Sequence, residues 1–230
     1  MRSVSRRWMM PAALALVSVV AVGTAQPAAA APPAYYGSAT ATGAEATVVP
    51  LLFPPLPPTA RANVNTTNVT PTTQTTGLPN LTTPVLGSLG AINTSASLTD
   101  TATTRTAAGT AGISDVSLVN ALGSPVVAAD SISSSATASI SQGSTTVVRT
   151  GTVSVQNLTV AGQTFNGALP SQTIPISAGP ISVTVYLNQQ VVTANEIVVI
   201  PVRVVSTAPL VGVVADVRIG ETRARLSATP

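Results

Sequence analysis

Downstream of about residue 91 the dominant pattern is a period-two alternation of apolar and polar residues. Ile181, Val183, Val185 and Leu187 alternate with Ser182, Thr184, Tyr186 and Asn188, as in a strand buried on one face. Across 211–219, Val211, Val213, Ala215, Val217 and Ile219 share one face, and Gly212, Val214, Asp216 and Arg218 share the other. Asp216 and Arg218 therefore lie on the same outward face, as a solvated pair worth little to stability. Across 196–206, Ile200, Val202 and Val204 face one way, with Val199 and Arg203 opposite. Pro201 has no N–H to give to a ladder, which predicts an edge strand or a bulge at that point. Further strands are predicted at 112–119, 130–140, 145–148 and 152–160, separated by turn residues at 122–125, 161–162 and 178–180. Many short Val-, Ile- and Thr-rich strands without helical periodicity predict an all-β fold, an antiparallel β-sandwich of jelly-roll-like form. The alternative, a β-solenoid, requires a fixed repeat, and no period survives counting.

The pattern before residue 91 is different. Arg2, Arg6 and Arg7 precede an apolar run over 8–22 and then small residues through Ala31, in the order of a cleavable export signal. The apolar run is shorter than the ~20 residues of a membrane span. Cleavage is expected after Ala30, with Ala31 becoming the first residue, and the runner-up is cleavage after Ala25. Arg6-Arg7 also fits a twin-arginine signal. Residues 31–90 read as a Pro/Thr-rich segment with one strand within 38–49 and an extended, polyproline-like run over 50–58. The threonines and asparagines of 59–84 bury too little to offset ordering entropy and read as linker or long irregular loop, with short strands within it as the alternative. The expected organisation is thus a signal over 1–30, the Pro/Thr segment over 31–90 and a β-sandwich domain over 91–230.

Composition narrows the chemistry. The chain has no histidine, cysteine or lysine. The usual neutral-pH base, the thiolate nucleophile, the Schiff-base amine and the commonest zinc ligands are therefore missing. Of the ten arginines three lie in the signal, so 10 − 3 leaves seven against seven acids in a formally neutral mature chain. Scattered arginines and few aromatics exclude a nucleic-acid partner. Carboxylates of the kind used in glycoside hydrolysis (Asp100, Asp115, Asp130, Glu196, Asp216 and Glu221) lack aromatic platforms for a sugar and read as turn or surface groups. No Asp-x-Asp spacing suggests calcium. The expectation is a non-enzyme, with no catalytic residues, cofactor or metal.

The segment 111–119, Ala-Gly-Ile-Ser-Asp-Val-Ser-Leu-Val, leads into Gly123 and then Val127-Ala128-Ala129-Asp130-Ser131-Ile132. Val155-Gln156-Asn157-Leu158-Thr159-Val160-Ala161-Gly162-Gln163 and Val185-Tyr186-Leu187-Asn188-Gln189-Gln190 follow. In that order these motifs resemble the choice-of-anchor P family of secreted actinobacterial proteins over residues 91–230. Gln189 stands where that family usually has an acid. The resemblance implies a secreted or surface β domain. No apolar span or lipobox follows the signal, so no transmembrane anchor is expected in the mature chain. Two functions follow as expectations. The first is a secreted structural or adhesive envelope protein, partnered by envelope polymer or by itself, because scarce charge (7%) leaves strand edges weakly guarded. The alternative is a secreted carbohydrate or small-ligand binding module, with Tyr186, Asn188, Gln189 and Gln190 as ligand residues on a hairpin turn.

Overall fold

A computed structural model describes residues 35–48, 55–66, 71–83, 87–119, 125–178, 180–209 and 211–228. The predicted signal, its Ala30 and Ala31 cleavage positions and the prolines Pro50 and Pro54 lie outside the described residues. The described residues form seventeen strands and no helix. Sheet A contains β1 (Tyr35–Ala41), β2 (Ala44–Val48), β3 (Leu56–Thr59), β4 (Ala62–Thr66), β13 (Gln172–Ala178), β14 (Ile181–Val192), β15 (Glu196–Ala208), β16 (Gly212–Ile219) and β17 (Thr222–Ala228). Sheet B contains β5 (Thr72–Leu78), β6 (Leu81–Thr83), β7 (Gly87–Leu89), β8 (Ile92–Asp100), β9 (Thr104–Val119), β10 (Pro125–Ser141), β11 (Val148–Val160) and β12 (Gln163–Ala168). The two sheets pack face to face as an antiparallel β-sandwich.

Several of these strands are halves of longer ones. β1–β2 runs against β16–β17 in a single register, carried across the gap by Thr42 N–H to Glu221 O and Gly220 N–H to Gly43 O, both 2.8 Å. β3–β4 continues that ladder with a shift between Ala44 and Ala46, and β15 passes from β17 to β16 in one register that shifts only between Ser206 and Thr207. In sheet B, β7–β8 runs along β9 in the same way, and β5–β6 along β7–β8. Each sheet therefore has six long strands, several of them bent in the middle; sheet B is a continuous meander, and sheet A joins the N-terminal strands to the C-terminal ones. Within each run of strands, neighbours in sequence are neighbours in space, so the connectivity is up-and-down, and the first and last long strands, β1–β2 and β16–β17, pair with each other inside sheet A. The antiparallel β-sandwich expected from the sequence is borne out, with up-and-down connections in place of the Greek-key crossings of a jelly roll.

The bends of sheet A line up as a crease. Ala60, Gly43, Gly220, Pro201 and Asn188 occupy facing positions on successive strands when the registers are carried through. Three of them have positive φ: Ala60 at 47°, Gly220 at 69° and Asn188 at 48°. Such residues interrupt the ladder and bend the strand as a β-bulge does. Pro201 is accommodated here. β15 is not an edge strand, since it has partners on both sides, but Pro201 falls between the end of its pairing with β17 and the start of its pairing with β16. Sheet B has its own crease through Gly90, Asp115 (φ 47°), Asp130, Asn157 (φ 49°) and Asn166.

The inner faces share one apolar core containing Leu118, Ile132 and Leu158 from sheet B and Leu187, Ile197, Ile219 and Leu226 from sheet A. Each of these side chains is almost fully removed from water. Small residues let the sheets close at one end. A methyl on Gly109 of β9 would lie 2.6 Å from Thr40 O and 3.1 Å from Arg223 O, so glycine is required by this approach. The interrupted ladder of crease A is satisfied from across the core: Thr94 of β8 donates to Ala60 O and Ser134 of β10 to Gly220 O, each at 2.6 Å. Buried carbonyls without such donors would cost free energy.

Residues 35–89 depart most from expectation. Instead of one strand and a linker they supply β1 to β7, and β1 pairs with β17, β2 with β16 and β7 with β9. All described residues fall in one unit, Pro32–Pro230, with no boundary at residue 90. The reason lies in where these strands sit. β5 (Thr-Thr-Gln-Thr-Thr-Gly-Leu) is an edge strand exposed on most of its length, so it carries no apolar alternation, while β-branched threonines still suit extended backbone. Pro57 and Pro58 lie in the edge strand β3, where a missing N–H costs no ladder bond inside the sheet. The strand predicted at 145–148 is instead an irregular connection, and β11 begins at Val148.

Candidate functional site

Charge is gathered on the outward face of sheet A. β15 and β16 place Arg203 and Asp216 as neighbours on that face, and Arg203 grips the carboxylate with two bonds of 2.8 Å, Nε to Oδ1 and Nη2 to Oδ2. Arg218 Nη2 reaches the same carboxylate at 3.4 Å and its Nη1 reaches Glu221 Oε2 at 3.4 Å. Arg223 Nε then donates to Glu221 Oε1 at 2.5 Å. The guanidinium of Arg203 also lies 5.7 Å from the centre of the Tyr186 ring, and that of Arg225 lies 5.2 Å from the Tyr36 ring. One chain of contacts thus crosses from β14 to β17.

The chain sets the ionisation of its members. Burial alone would push the Asp216 carboxyl up. The Arg203 hydrogen bonds, with the charges of Arg203 and Arg218, outweigh that and hold it below the ordinary carboxylate range. Arg203 is held above its ordinary value, chiefly by its hydrogen bond to Asp216. The pair predicted as weak and solvated, Asp216 with Arg218, is therefore part of a half-buried network in which Arg203 is the principal partner. Alternation along single strands could not reveal this, because Arg203 reaches Asp216 across the β15–β16 ladder.

Beside this network crease A opens a cavity of about 390 Å³. Glu221 and Arg223 form part of its wall, and Glu45, Arg61 and Glu196 reach it from β2, the β3–β4 bend and β15, with Thr40 and Thr42 between them. Glu221 is almost wholly buried and doubly paired, whereas Glu45, Arg61 and Glu196 have no ion pair among the described residues.

The four ligand residues expected from the sequence separate. Tyr186 joins the charged face through Arg203. Asn188, Gln189 and Gln190 are not a hairpin turn but lie within β14, and the turn follows at Thr193–Asn195, where Thr193 Oγ1 accepts the backbone N–H of Glu196 at 3.1 Å. Asn188 has a positive φ of 48°, and in the fold it marks the crease rather than a hairpin turn. Asn188 Nδ2 donates to Leu169 O at 2.6 Å, and Gln190 Nε2 to Asn188 Oδ1 at 2.8 Å and Gly151 O at 3.4 Å. These amides brace the edges of the two sheets. Gln189 is paired with Ile200 in the ladder. The residues that sequence reasoning missed are Glu45, Arg61 and Arg223, and their only signal was a concentration of charge in strands otherwise made of small residues.

Sheet B presents the contrasting face. Thr75, Ser95, Thr110, Ser135 and Thr152 form one row across five strands, with Ser135 and Thr152 hydroxyls 2.9 Å apart. Its acids are Asp115 and Asp130 on the crease and Asp100, paired with Arg105 at 3.1 Å. Asn157 Nδ2 donates to Asp130 Oδ2 at 2.6 Å. Among the described residues no three acids lie together as metal donors, and no helix is long and apolar enough to cross a membrane. The fold and these faces define a two-sheet, up-and-down β-sandwich protein with its charge concentrated along one crease. No protein-family model, curated protein or solved structure matches the chain.

Proposed function

We propose that this is a secreted, non-catalytic structural or adhesive protein of the cell envelope, of the choice-of-anchor P type, which associates through its strand edges with further copies or with envelope polymer. The observation that carries the reading is uneven edge protection. Edge strands β3 and β13 contain Pro57, Pro58 and Pro175, which cannot extend a ladder. β11 before Ser154 and β14 beyond Leu187 have no such guard and no strand on their outer side among the described residues. Val148, Val191 and Val192 stand exposed there, at 58%, 54% and 60%. The nearby Arg149 turns its guanidinium back to Val147 O and Ala194 O and so offers little repulsion to an approaching strand.

The test is fractionation of producing cells combined with sizing of the mature protein. Envelope retention or concentration-dependent oligomers are expected, and Val191→Lys with Val192→Lys should abolish them while leaving the fold intact. A monomer free in the medium at all concentrations would overturn the reading.

A further inference from the structure

At its outer end the crease of sheet B carries the chain's only asparagine followed by glycine, Asn166-Gly167. Both residues are exposed in β12, an edge strand paired only with β11. The pairing steps from Val155–Gly167 to Leu158–Phe165, so Asn166 stands alone opposite the two-residue bulge Gln156–Asn157. There the Asn157 N–H is turned out of the ladder and donates to Asn166 Oδ1 at 2.7 Å. That bond polarises the side-chain amide and aims a donor at the oxygen where charge develops when its carbon is attacked. The nucleophile next to it along the chain is the backbone nitrogen of Gly167. Nothing shields that nitrogen: Gly167 has no side chain, sits at φ 80°, and has open space where a Cβ would be. Every other asparagine precedes a residue whose side chain crowds this approach.

We propose that Asn166-Gly167 is a self-modification site, at which the mature chain loses ammonia and acquires a carboxylate. The Gly167 nitrogen bonds to Asn166 Cγ, the Cγ–Nδ2 bond breaks, and the proton given up by the Gly167 N–H leaves with the amide as ammonia. Water then opens the cyclic imide. Opening at one carbonyl gives aspartate, and opening at the other gives isoaspartate, with the backbone rerouted through the former side chain. Nothing is oxidised or reduced, and water is the only co-reactant. The new carboxylate arises beside Asn157, whose Nδ2 already holds Asp130 Oδ2 at 2.6 Å. A formally neutral mature chain thereby gains a negative charge on an edge strand, and isoaspartate lengthens β12 where its register already shifts. The site goes beyond the adhesive reading and does not depend on it. A chain that stays monomeric and free in the medium yet modifies Asn166 would defeat that reading and leave this one standing.

The experiment ages the full mature chain at mildly alkaline pH, where the amide nitrogen most easily gives up its proton. Intact mass, isoelectric focusing and peptide mapping follow the product, and a free peptide covering residues 161–170 is aged beside it. The expected result is conversion of one amide to an acid, mapped to Asn166 ahead of every other asparagine, at a rate no slower than in the peptide. Part of the product should accept a methyl group from an isoaspartate methyltransferase. Asn166→Gln keeps a side-chain acceptor for Asn157 but must close a larger ring, and should abolish the change. Gly167→Ala should slow it by roughly tenfold or more through crowding at the nitrogen. Alanine at that positive φ strains β12, so Asn166→Gln carries the test if Gly167→Ala does not fold. Earlier modification at another asparagine, a rate in the chain more than roughly tenfold below the peptide's, or the same acid gained by a folded Asn166→Gln variant would overturn the proposal.

Discussion

On sheet A a row of outward side chains runs Tyr186, Arg203, Asp216, Arg218, Glu221, Arg223; on sheet B a comparable row runs Thr75, Ser95, Thr110, Ser135, Thr152. Both sheets have six long strands over the same core, yet one face is tied by a continuous chain of ion pairs and the other by its ladders and a few isolated side-chain contacts. The difference follows from what each crease does to its surroundings. Crease A draws Glu221 out of water and half-buries Asp216, and buried carboxylates need guanidinium partners. The hydroxyls of sheet B stay near solvent, where a missing partner costs little. Charge has collected where the backbone bends.

The largest effects should be blind to the two faces, because the core is common. Leu118→Ala on sheet B and Leu226→Ala on sheet A, both fully buried, should each cost about 2–5 kcal/mol in denaturant unfolding. A large loss from only one would mean that the sheets do not share a cooperative core. Next come two glycines of one strand, three residues apart on opposite faces. Gly109→Ala pushes a methyl against two carbonyls of sheet A and should cost about 1–3 kcal/mol. Gly112→Ala meets nothing within 4 Å and should be neutral or slightly stabilising.

Asp216→Asn keeps the shape but removes the charge that two arginines grip, and should cost about 1–3 kcal/mol at neutral pH. The sign of its pH dependence is fixed by the depressed carboxyl. A carboxyl that ionises more easily folded than unfolded stabilises the fold above its unfolded pKa, about 4, and that contribution fades as pH falls through the lower folded value. Wild type and Asp216→Asn should therefore converge in stability under acid, as followed by thermal melts from pH 7 downward. Parallel curves would place the stabilisation elsewhere. The smallest effect belongs to the hydroxyl face: Ser135→Ala and Thr152→Ala should each stay within about 0.5 kcal/mol of wild type. A larger loss would show that the row acts as a network and erase the contrast between the faces.

The sequence by itself determined the all-β class and the central strands. The alternation at 181–188 is imposed by one buried and one wet face and reappears in β14; that at 211–219 reappears in β16 only from Ala215 onward, because the register shift opposite Ser206–Thr207 leaves Val211 and Val213 exposed and buries Val214. It could not announce β5 or β3, because an edge strand that buries neither face has no alternation to display. Nor could it assign Thr94 and Ser134, polar residues at inward positions whose use depends on carbonyls freed by a bend on the opposite sheet. The creases, the partners of Asp216 and the cavity beside Glu221 were decided by tertiary structure alone. Each depends on the register between strands far apart in the chain, and register is a property of pairs, whereas periodicity is a property of one strand.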